Sequence, residues 1–306
     1  MRIAVLGAGG VGGYFGARLS AAGEDVVFVA RGRHLAALRE GGLRVESELG
    51  DLTLRPVAAT DDPGSIGPVD LVLFAVKLWD TEAAARAAAP LLAGGGAIAT
   101  FQNGVESVET LGRILGPGRV VGGVAHIAAT IGGPGLIRHT GTMARLTFGE
   151  PDGRRSERVE ALFAACQRAG IDAVASDRIA AAIWEKFVFL SAFSGVTALL
   201  RRPIGPIRAD RRTRALLLDA IAETAALAGA LGIDLPADIV ERIEVFADGL
   251  PAVMKASMLH DLERGGRLEL PWLSGAVARL AERNGVPAPI HRVIAAALAL
   301  DQDGAG

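Results

Sequence analysis

The sequence of 306 residues has a single cysteine, and this scarcity limits the classes of protein to which it can belong. One thiol cannot form an internal disulfide framework, so a small disulfide-bonded secreted scaffold is excluded and a reducing compartment is favoured. Cys166 lies among apolar residues and is predicted to be a small core residue. The first predicted strand begins directly after Met1, which leaves no room for a signal peptide ahead of it. The sequence therefore predicts a cytoplasmic protein.

Metal-ligand spacing is also missing. None of the five histidines falls in a His-x-x-x-His or His-Glu-x-x-His pattern, the spacings that place two imidazoles on one face of a helix. We therefore expect no metal site. Two of these histidines, His126 and His139, are predicted to be hydrogen-bonded structural residues.

The sequence has neither a long apolar run nor an excess of positive charge. Its uncharged stretches are shorter than the roughly 20 apolar residues that span a membrane. Its net charge of −2 does not favour binding to nucleic acid or to a membrane surface. The arginine-rich stretch 201–214 contains Asp210 and no interleaved aromatic residue. We interpret it as a solvated helix connection or as a surface for self-association into a homodimer.

What the sequence does have is a glycine-rich turn at its beginning. The apolar run Ile3–Leu6 predicts a buried strand, which leads through a Gly-x-Gly-x-x-Gly pattern into a predicted helix over 14–22. In a dinucleotide-binding fold the three glycines permit the tight turn, the close approach of a pyrophosphate and the packing of helix on strand. Amides at the start of the helix then bind the anion. The alternative is a plain glycine turn. The residues predicted to contact the dinucleotide are Gly7, Gly9, Gly10, Val11 and Gly12.

The residues after the second predicted strand, over 25–30, indicate which dinucleotide binds. Proteins selective for NAD place a carboxylate there to bind the ribose 2′-hydroxyl. This sequence has no carboxylate between Asp25 and Glu40, and it has Arg31 and Arg33 instead. Because a guanidinium binds a 2′-phosphate through charge-assisted hydrogen bonds, the sequence predicts NADP(H), with Arg31 as the first contact. The alternative is that both arginines are solvated loop charges.

Strand and helix patterns alternate over the first 175 residues, which predicts an α/β fold with a parallel, doubly wound Rossmann-type sheet. From residue 176 onward only long helical patterns follow. We therefore predict an NADP-binding Rossmann domain over 1–175 and an all-helical substrate and catalytic domain over 176–306, with the catalytic cleft between them. The strands are predicted over 3–6, 25–30, 69–76, 97–101, 120–131, 145–149 and 171–175, with a strand pair over 43–57. The helices of the second domain are predicted over 177–199, 208–231, 236–247, 250–264, 272–285 and 289–300.

One lysine borders the most apolar of these helices. No charged side chain occurs between Phe187 and Leu200, which is typical of a buried helix, and Lys186 immediately precedes this stretch. Burial lowers the pKa of an ammonium, and an amine with a lowered pKa is a suitable general acid for converting a carbonyl into an alcohol. The alternative is a lysine that reaches solvent and pairs with Glu185 or Asp177.

A second cluster of polar residues lies over 255–271. Glu269 lies between two leucines, and a partly buried carboxylate there requires a cation, for which Lys186 is available. The alternative is a local ion pair with Arg267. Ser257 is interpreted either as a donor to a substrate carboxylate or as an ordinary helix serine.

Five short segments, together with the glycine pattern and the basic residues after the second strand, carry a family resemblance. They are Ala75-Val76-Lys77 with Trp79, Gln102-Asn103-Gly104-Val105-Glu106, Gly133-Pro134-Gly135 with His139-Thr140-Gly141, Trp184-Glu185-Lys186, and Ser257-Met258 through Glu269. In this combination the chain resembles the ketopantoate reductases (2-dehydropantoate 2-reductases) over nearly its whole length.

The resemblance implies the NADPH-dependent reduction of a 2-keto acid to a 2-hydroxy acid, such as ketopantoate to pantoate in pantothenate biosynthesis. It implies that Lys186 donates a proton to the keto oxygen and that Glu269 orients this lysine or the substrate hydroxyl. It also implies that Ser257 binds the substrate carboxylate. Asn103 would hydrogen-bond in the active site near the nicotinamide, and Lys77 would line the cleft for cofactor and substrate.

The helix after the lysine departs from the family pattern, which resembles Lys-x-x-x-Asn-x-x-x-Asn-Pro-x-Thr-Ala-Leu. Leu190 and Ser194 stand where the asparagines are usual, and their spacing places both on the face of Lys186. Leucine cannot hydrogen-bond a substrate hydroxyl, and Ser194 is a shorter substitute for contacting the substrate. We therefore expect retained catalytic residues with a more apolar substrate pocket.

Two other functions remain open on the sequence. One is a non-catalytic NADP(H)-binding sensor or scaffold, which needs the glycine pattern but neither Lys186 nor Glu269. The other is a 3-hydroxyacid or opine dehydrogenase of similar architecture, and the segments 102–104 and 257–269 weigh against it.

Overall fold

The computed structural model describes residues 1–305, which form two compact units. The first unit comprises residues 1–102 and 106–179, and the second comprises residues 103–105 and the chain from residue 180 onward. The main boundary therefore lies after residue 179, four residues beyond the predicted one. The sequence pattern does not predict that 103–105 belongs with the helices, because this segment directly follows a strand of the sheet.

The first unit is built on a ten-stranded sheet. Six of its strands are parallel to one another. When these six are numbered in the order in which they occur along the chain, their order across the sheet is 3-2-1-4-5-6. This is the strand order of dinucleotide-binding folds, in which ligands bind beyond the carboxyl ends of the strands where the order reverses. The strands are β1 (Arg2–Leu6), β2 (Asp25–Val29), β3 (Leu43–Glu46), β4 (Leu52–Leu54), β5 (Ala58–Thr60), β6 (Leu71–Phe74), β7 (Ala97–Thr100), β8 (Val120–Gly133), β9 (Leu136–Gly149) and β10 (Asp172–Ala175). The parallel six are β5-β2-β1-β6-β7-β8, so the order reverses between β1 and β6.

Helices cover both faces of this sheet. They are α1 (Gly10–Ala21), α2 (Gly32–Gly41), α3 (Thr81–Ala88), α4 (Ser107–Leu115) and α5 (Glu157–Arg168). Along β1, Ile3 and Val5 pack with side chains of α1, α2 and α5, whereas Ala4 and Leu6 pack with side chains of α3 and α4. Both faces of the strand are buried, which explains its uninterrupted apolar run. The predicted Rossmann-type, doubly wound fold is confirmed.

The sheet differs from the prediction in being mixed. β8 and β9 form a long antiparallel hairpin of 14 residues in each strand, and β9 also pairs with β3 and β10. The sequence predicts only the apolar end of β9, because its first half alternates with polar residues such as His139. This histidine is buried, with Nδ1 2.8 Å from Ser47 Oγ and Nε2 3.1 Å from the Met143 carbonyl oxygen, so its structural role is confirmed. β5 was not predicted, because Ala58–Thr60 contains no large apolar residue.

Two further details of the first unit concern single residues. α1 begins at Gly10 rather than at the predicted residue 14, and the Gly13 amide already donates to the Gly9 carbonyl at 2.7 Å. Cys166 of α5 is completely buried, and burial raises the pKa of its thiol to about 12. Its predicted place in the core is confirmed.

The part of the second unit that follows residue 179 is helical, as predicted. Its helices are α6 (Ile179–Leu200), α7 (Ile204–Ala209), α8 (Arg211–Ala230), α9 (Ile239–Gly249), α10 (Ser257–Glu263), α11 (Ser274–Arg283) and α12 (Pro289–Ala297). The helix predicted over 250–264 is only partly correct, because the chain is not helical until Ser257. The amides of Ile204 and Gly205 bind the carbonyls of Met254 and Ala252, so this segment makes its backbone hydrogen bonds with the start of α7.

α6 is the most apolar helix of the chain. By length and composition it could cross a membrane, but 61% of its apolar window is buried within the protein, and core helices meet the same criterion. One such helix does not by itself indicate a membrane span. Its side chains join those of the other helices in a single apolar core, against which Val105 also packs.

Candidate functional site

The glycine turn has the geometry expected of a dinucleotide-binding loop. Gly7 has a φ of +94°, and a Cβ there would lie 2.7 Å from the Ala75 carbonyl oxygen. A Cβ on Gly12 would lie 2.9 Å from Val5 Cγ1 and still closer to the Gly7 carbonyl oxygen. A Cβ on Gly9, in contrast, would meet no atom of residues 1–305 within 4 Å. The turn is therefore packed at its first and third glycines and open at its second.

The start of α1 leaves donors available at the open side of this turn. Gly9 is the N-terminal cap and supplies no side chain to the helix, and the first turn has no acidic residue. The first amides of a helix have no partner within it and carry its positive dipole end. A Cβ on Gly10 would collide with the Ala129 carbonyl, so the hairpin strand β8 closes one side of the loop. These residues fit the pyrophosphate of a dinucleotide.

The carboxyl end of β2 carries positive charge and no carboxylate. Arg31 occupies the N-cap position of α2 without a side-chain hydrogen bond to the helix, and Arg33 lies in the first turn. Both are exposed. One Arg31 terminal nitrogen (Nη1) lies 3.9 Å from Asp80 Oδ2. Because exposed ion pairs at such a distance contribute little, this guanidinium can exchange Asp80 for a phosphate.

Lys77 follows β6, the strand next to β1 at the point where the strand order reverses. Its side chain is exposed, and Nζ lies 5.4 Å from the centroid of the Trp79 ring. Attraction to the ring keeps the ammonium close to the end of β6.

Two residues that support this region were not predicted. The Gly135 amide donates to Nδ1 of His34 at 3.1 Å, which connects α2 to the turn between β8 and β9. Burial lowers the pKa of His34, and the backbone of Ala8 in the glycine turn acts in the opposite direction. Sequence reasoning considered His34 only as a metal ligand. Gly135 belongs to a segment of the family resemblance, which was the available signal.

Gln102 is the other supporting residue. Its Nε2 donates to the Val76 carbonyl at 3.0 Å and lies 2.8 Å from Thr81 Oγ1. It therefore fixes the chain after β7 against the chain after β6. The resemblance included Gln102 in a matching segment but gave it no role.

The second unit brings together three of the predicted site residues. Lys186 projects from α6, and its Nζ donates to Asn103 Oδ1 at 2.9 Å. Asn103 Nδ2 in turn lies 3.5 Å from Glu269 Oε2, a long hydrogen bond. We call these three residues the amine cluster. Lys186 and Glu269 are 83 residues apart in sequence, and Asn103 comes from the segment that follows β7.

The environment of the amine cluster changes the proton affinity of the lysine. Lys186 is partly buried, and Glu269 is only 6% exposed. Burial lowers the pKa of Lys186 to about 8, and the negative charge of Glu269 opposes this decrease. An amine with this pKa is mostly protonated at pH 7 and can release its proton readily. The cluster therefore has the properties of a general acid at neutral pH.

The structure gives different surroundings to the other candidate residues. Ser257 is the first residue of α10 and has an exposed side chain. Leu190 is partly exposed, one turn beyond Lys186. Ser194 is completely buried, and its Oγ has no hydrogen-bond partner in the described chain. That burial does not support the expected contact of Ser194 with substrate. Arg267, the alternative partner of Glu269, is exposed, with Nε 3.6 Å from Asp303 Oδ1.

Within residues 1–305 there is no group of three or more His, Cys, Asp or Glu side chains that could hold a metal ion.

Comparisons with known proteins identify the family of the chain. Residues 3–153 match the family described as "Ketopantoate reductase PanE/ApbA", and residues 178–302 match "Ketopantoate reductase PanE/ApbA C terminal". The 2-dehydropantoate 2-reductase of Mesorhizobium japonicum is 36% identical over 310 residues, covering 94% of each protein. The crystal structure of 2-dehydropantoate 2-reductase from Geobacter metallireducens is 35% identical, with a TM-score of 0.92, and covers 98% of this chain and 99% of that one. A D-mandelate dehydrogenase solved with NADH and anilino(oxo)acetate has a TM-score of 0.89 at 19% identity over 98% of each chain, which shows a shared fold.

The strand order, the glycine turn and the relatives together define an oxidoreductase with a dinucleotide-binding fold and a helical second unit. Within that class, the chain belongs to the ketopantoate reductase family. The resemblance found in the sequence is confirmed. Family membership supports a 2-dehydropantoate 2-reductase or a related hydroxyacid dehydrogenase activity, and it weighs against a non-catalytic sensor.

Proposed function

We propose that this protein reduces a 2-keto acid to a 2-hydroxy acid with NADPH, and that Lys186 is the general acid. The observation that carries the proposal is the amine cluster, in which a lysine of lowered pKa is hydrogen-bonded to Asn103 near the buried Glu269. The names of the relatives support a 2-keto acid, such as ketopantoate, as the substrate class.

The first unit would hold the cofactor. The amides at Gly10, Val11 and Gly12 would bind the pyrophosphate, and the open space at Gly9 would admit it. Arg31 would bind the 2′-phosphate through its guanidinium, which favours NADPH over NADH. When bound, the reduced nicotinamide supplies the hydride that the carbonyl carbon receives. Lys77, at the end of β6, would lie beside it.

Lys186 would hold and deliver the proton. As the carbonyl carbon gains a hydride, the oxygen gains negative charge, and Nζ would transfer a proton to that oxygen so that no free alkoxide forms. Asn103 Oδ1 would fix the direction of the amine through its 2.9 Å hydrogen bond. Glu269 would favour the protonated amine and its recharging from solvent after each turnover. Ser257, with its exposed hydroxyl, would bind the substrate carboxylate.

The proposal is tested by replacing Lys186 with alanine and following NADPH absorbance with a panel of 2-keto acids. We expect kcat to fall by about 10²- to 10⁴-fold, the usual contribution of a general acid, while NADPH binding stays close to that of the wild type. The matched control is Lys255→Ala, which removes an ammonium that is 2.6 Å from Glu263 on α10. Undiminished turnover by the Lys186 variant would remove the general-acid assignment.

A further inference from the structure

The helix that carries Lys186 offers no hydroxyl group to a substrate. Beyond the lysine, α6 has three hydroxyl side chains, Ser191, Ser194 and Thr197, and all three are completely buried. Ser191 Oγ lies 3.1 Å from Thr224 Oγ1 of α8, and Thr197 donates to the Phe193 carbonyl at 2.6 Å. These groups belong to the interior of the second unit.

Apolar side chains follow the lysine along its own face of α6. At the helical spacing of 100° per residue, Phe193 lies nearly in line with Lys186, and Phe189 and Leu190 lie on either side of that line. Phe189 and Leu190 are both partly exposed. This apolar face, which we define by Phe189, Leu190 and Phe193, extends for two turns beyond the amine; its first two members are accessible, and Phe193 is buried beneath them.

The two phenylalanines of the apolar face pack against each other and against a third ring. The rings of Phe189 and Phe193 are stacked, with centroids 5.0 Å apart, and the edge of Phe246 from α9 meets Phe189 at 5.1 Å. Aromatic contacts of this kind restrict ring motion and keep the surface apolar. A polar group placed against the face would lose water and gain no partner there.

The Asn103 carboxamide beside the lysine is already used within the amine cluster. Both ends of the Asn103 carboxamide are engaged, Oδ1 with Lys186 Nζ and Nδ2 with Glu269. Under the proposed function, the ammonium of this cluster meets the keto oxygen. A hydroxyl on the side chain of the substrate could hydrogen-bond to the carboxamide only by competing with Lys186 or Glu269.

From this geometry we propose that the preferred substrates are 2-keto acids whose side chain is branched or aromatic and carries no hydroxyl. The inference rests on the proposed function, because it takes Lys186 to be the group that meets the keto oxygen. Leu190 is the specificity-determining residue, since it is the aliphatic side chain one turn beyond the amine.

The test compares two substrates that differ by one hydroxyl, ketopantoate and 3,3-dimethyl-2-oxobutanoate. An unpartnered hydroxyl loses its hydration on binding, so the wild-type protein is expected to favour the hydroxyl-free compound in kcat/KM by about tenfold to a hundredfold. Phenylglyoxylate, as an aromatic substrate without a hydroxyl, is expected to be reduced as well. This comparison needs no variant and does not depend on the folding of one.

A variant then assigns the preference to one residue. Leu190→Asn keeps the branching and the number of heavy atoms of the side chain and introduces a hydrogen-bond donor and acceptor, so it should shift the kcat/KM ratio toward ketopantoate by about tenfold. The matched control is Leu199→Asn, the same substitution on the opposite face of α6, which should leave the ratio unchanged. The KM for NADPH should stay constant in both variants.

The outcomes separate the two proposals. A wild-type preference for ketopantoate would overturn the apolar-substrate inference and leave the proposed reduction standing. An unchanged ratio in a folded Leu190→Asn protein would overturn the role of that leucine. If neither compound nor phenylglyoxylate were reduced, the proposed function would fail, and this inference would fail with it.

Discussion

The charge of Glu269 should set the pH range in which the protein works. Its carboxylate opposes the burial that lowers the pKa of Lys186, and the resulting value is about 8. In Glu269→Gln this opposition is lost while the shape of the side chain is kept. The amine should then lose its proton at lower pH than in the wild type.

The magnitude follows from the contacts of the amine cluster. The Asn103 carboxamide contacts both charged groups, Lys186 Nζ at 2.9 Å and Glu269 Oε2 at 3.5 Å. For a charge separation on the order of 6 Å, Coulomb's law gives about 3 kcal/mol at an effective dielectric constant of about 20, which corresponds to roughly two pH units. Since Lys186 is only partly buried, solvent screens part of this effect. We therefore expect the pKa of Lys186 to decrease by about one in the variant.

The assay is the pH dependence of kcat for reduction of a 2-keto acid. A general acid must carry its proton, so activity is full below the pKa and is lost as pH rises through it. The wild-type profile should fall above about pH 8, and that of Glu269→Gln above about pH 7. Glu263→Gln removes an exposed carboxylate of α10 and should leave the profile in place. An alkaline limb at the same pH in Glu269→Gln and wild type would refute the electrostatic reasoning.

The remaining predictions concern the cofactor. Arg31→Ala should weaken the binding of NADPH by about tenfold to a hundredfold in a titration, because only NADPH carries the 2′-phosphate. The affinity for NADH should change by less than about twofold. Arg39→Ala, on the same helix, is its control, and equal weakening of both nucleotides would contradict the role of Arg31. Gly9→Ala should keep the wild-type melting temperature but bind NADPH at least about tenfold more weakly, since its methyl group would occupy the open space of the turn. Gly12→Ala should lose about 1–3 kcal/mol of stability, because its methyl group would press on Val5 and the Gly7 carbonyl; similar melting curves for the two glycine variants would rule out this distinction.

The fold followed from the sequence because its signals are local. The run Ile3–Leu6 and the glycines after it fix a strand and a turn without reference to distant residues. The sequence does not predict β5, because its three small residues form a strand only through pairing with β2. The composition of 250–256 predicts a helix, but the carbonyls of Ala252 and Met254 in this segment accept hydrogen bonds from the amides of Gly205 and Ile204, which lie far away in the sequence.

The rarity of lysine in the chain indicates part of the candidate site. The chain contains 32 basic residues, of which only Lys77, Lys186 and Lys255 are lysines. Arginine stays charged at any pH near neutrality, so a chain that uses it almost everywhere makes each lysine notable as a tunable acid. The burial of Ser194 could not be foreseen, because helical spacing gives the direction of a side chain but not the neighbours that cover it.

The position of Asn103 in the chain affects the design of chimaeric proteins from two relatives. Its segment, 103–105, clusters with the helical unit although the sheet unit precedes and follows it along the chain. A chimaera joined at residue 179 would inherit this asparagine from one parent and the lysine it contacts from the other. Exchanging the two halves between relatives therefore mixes the partners of a single hydrogen bond, and a hybrid that keeps them matched has to transplant three residues from the opposite half as well.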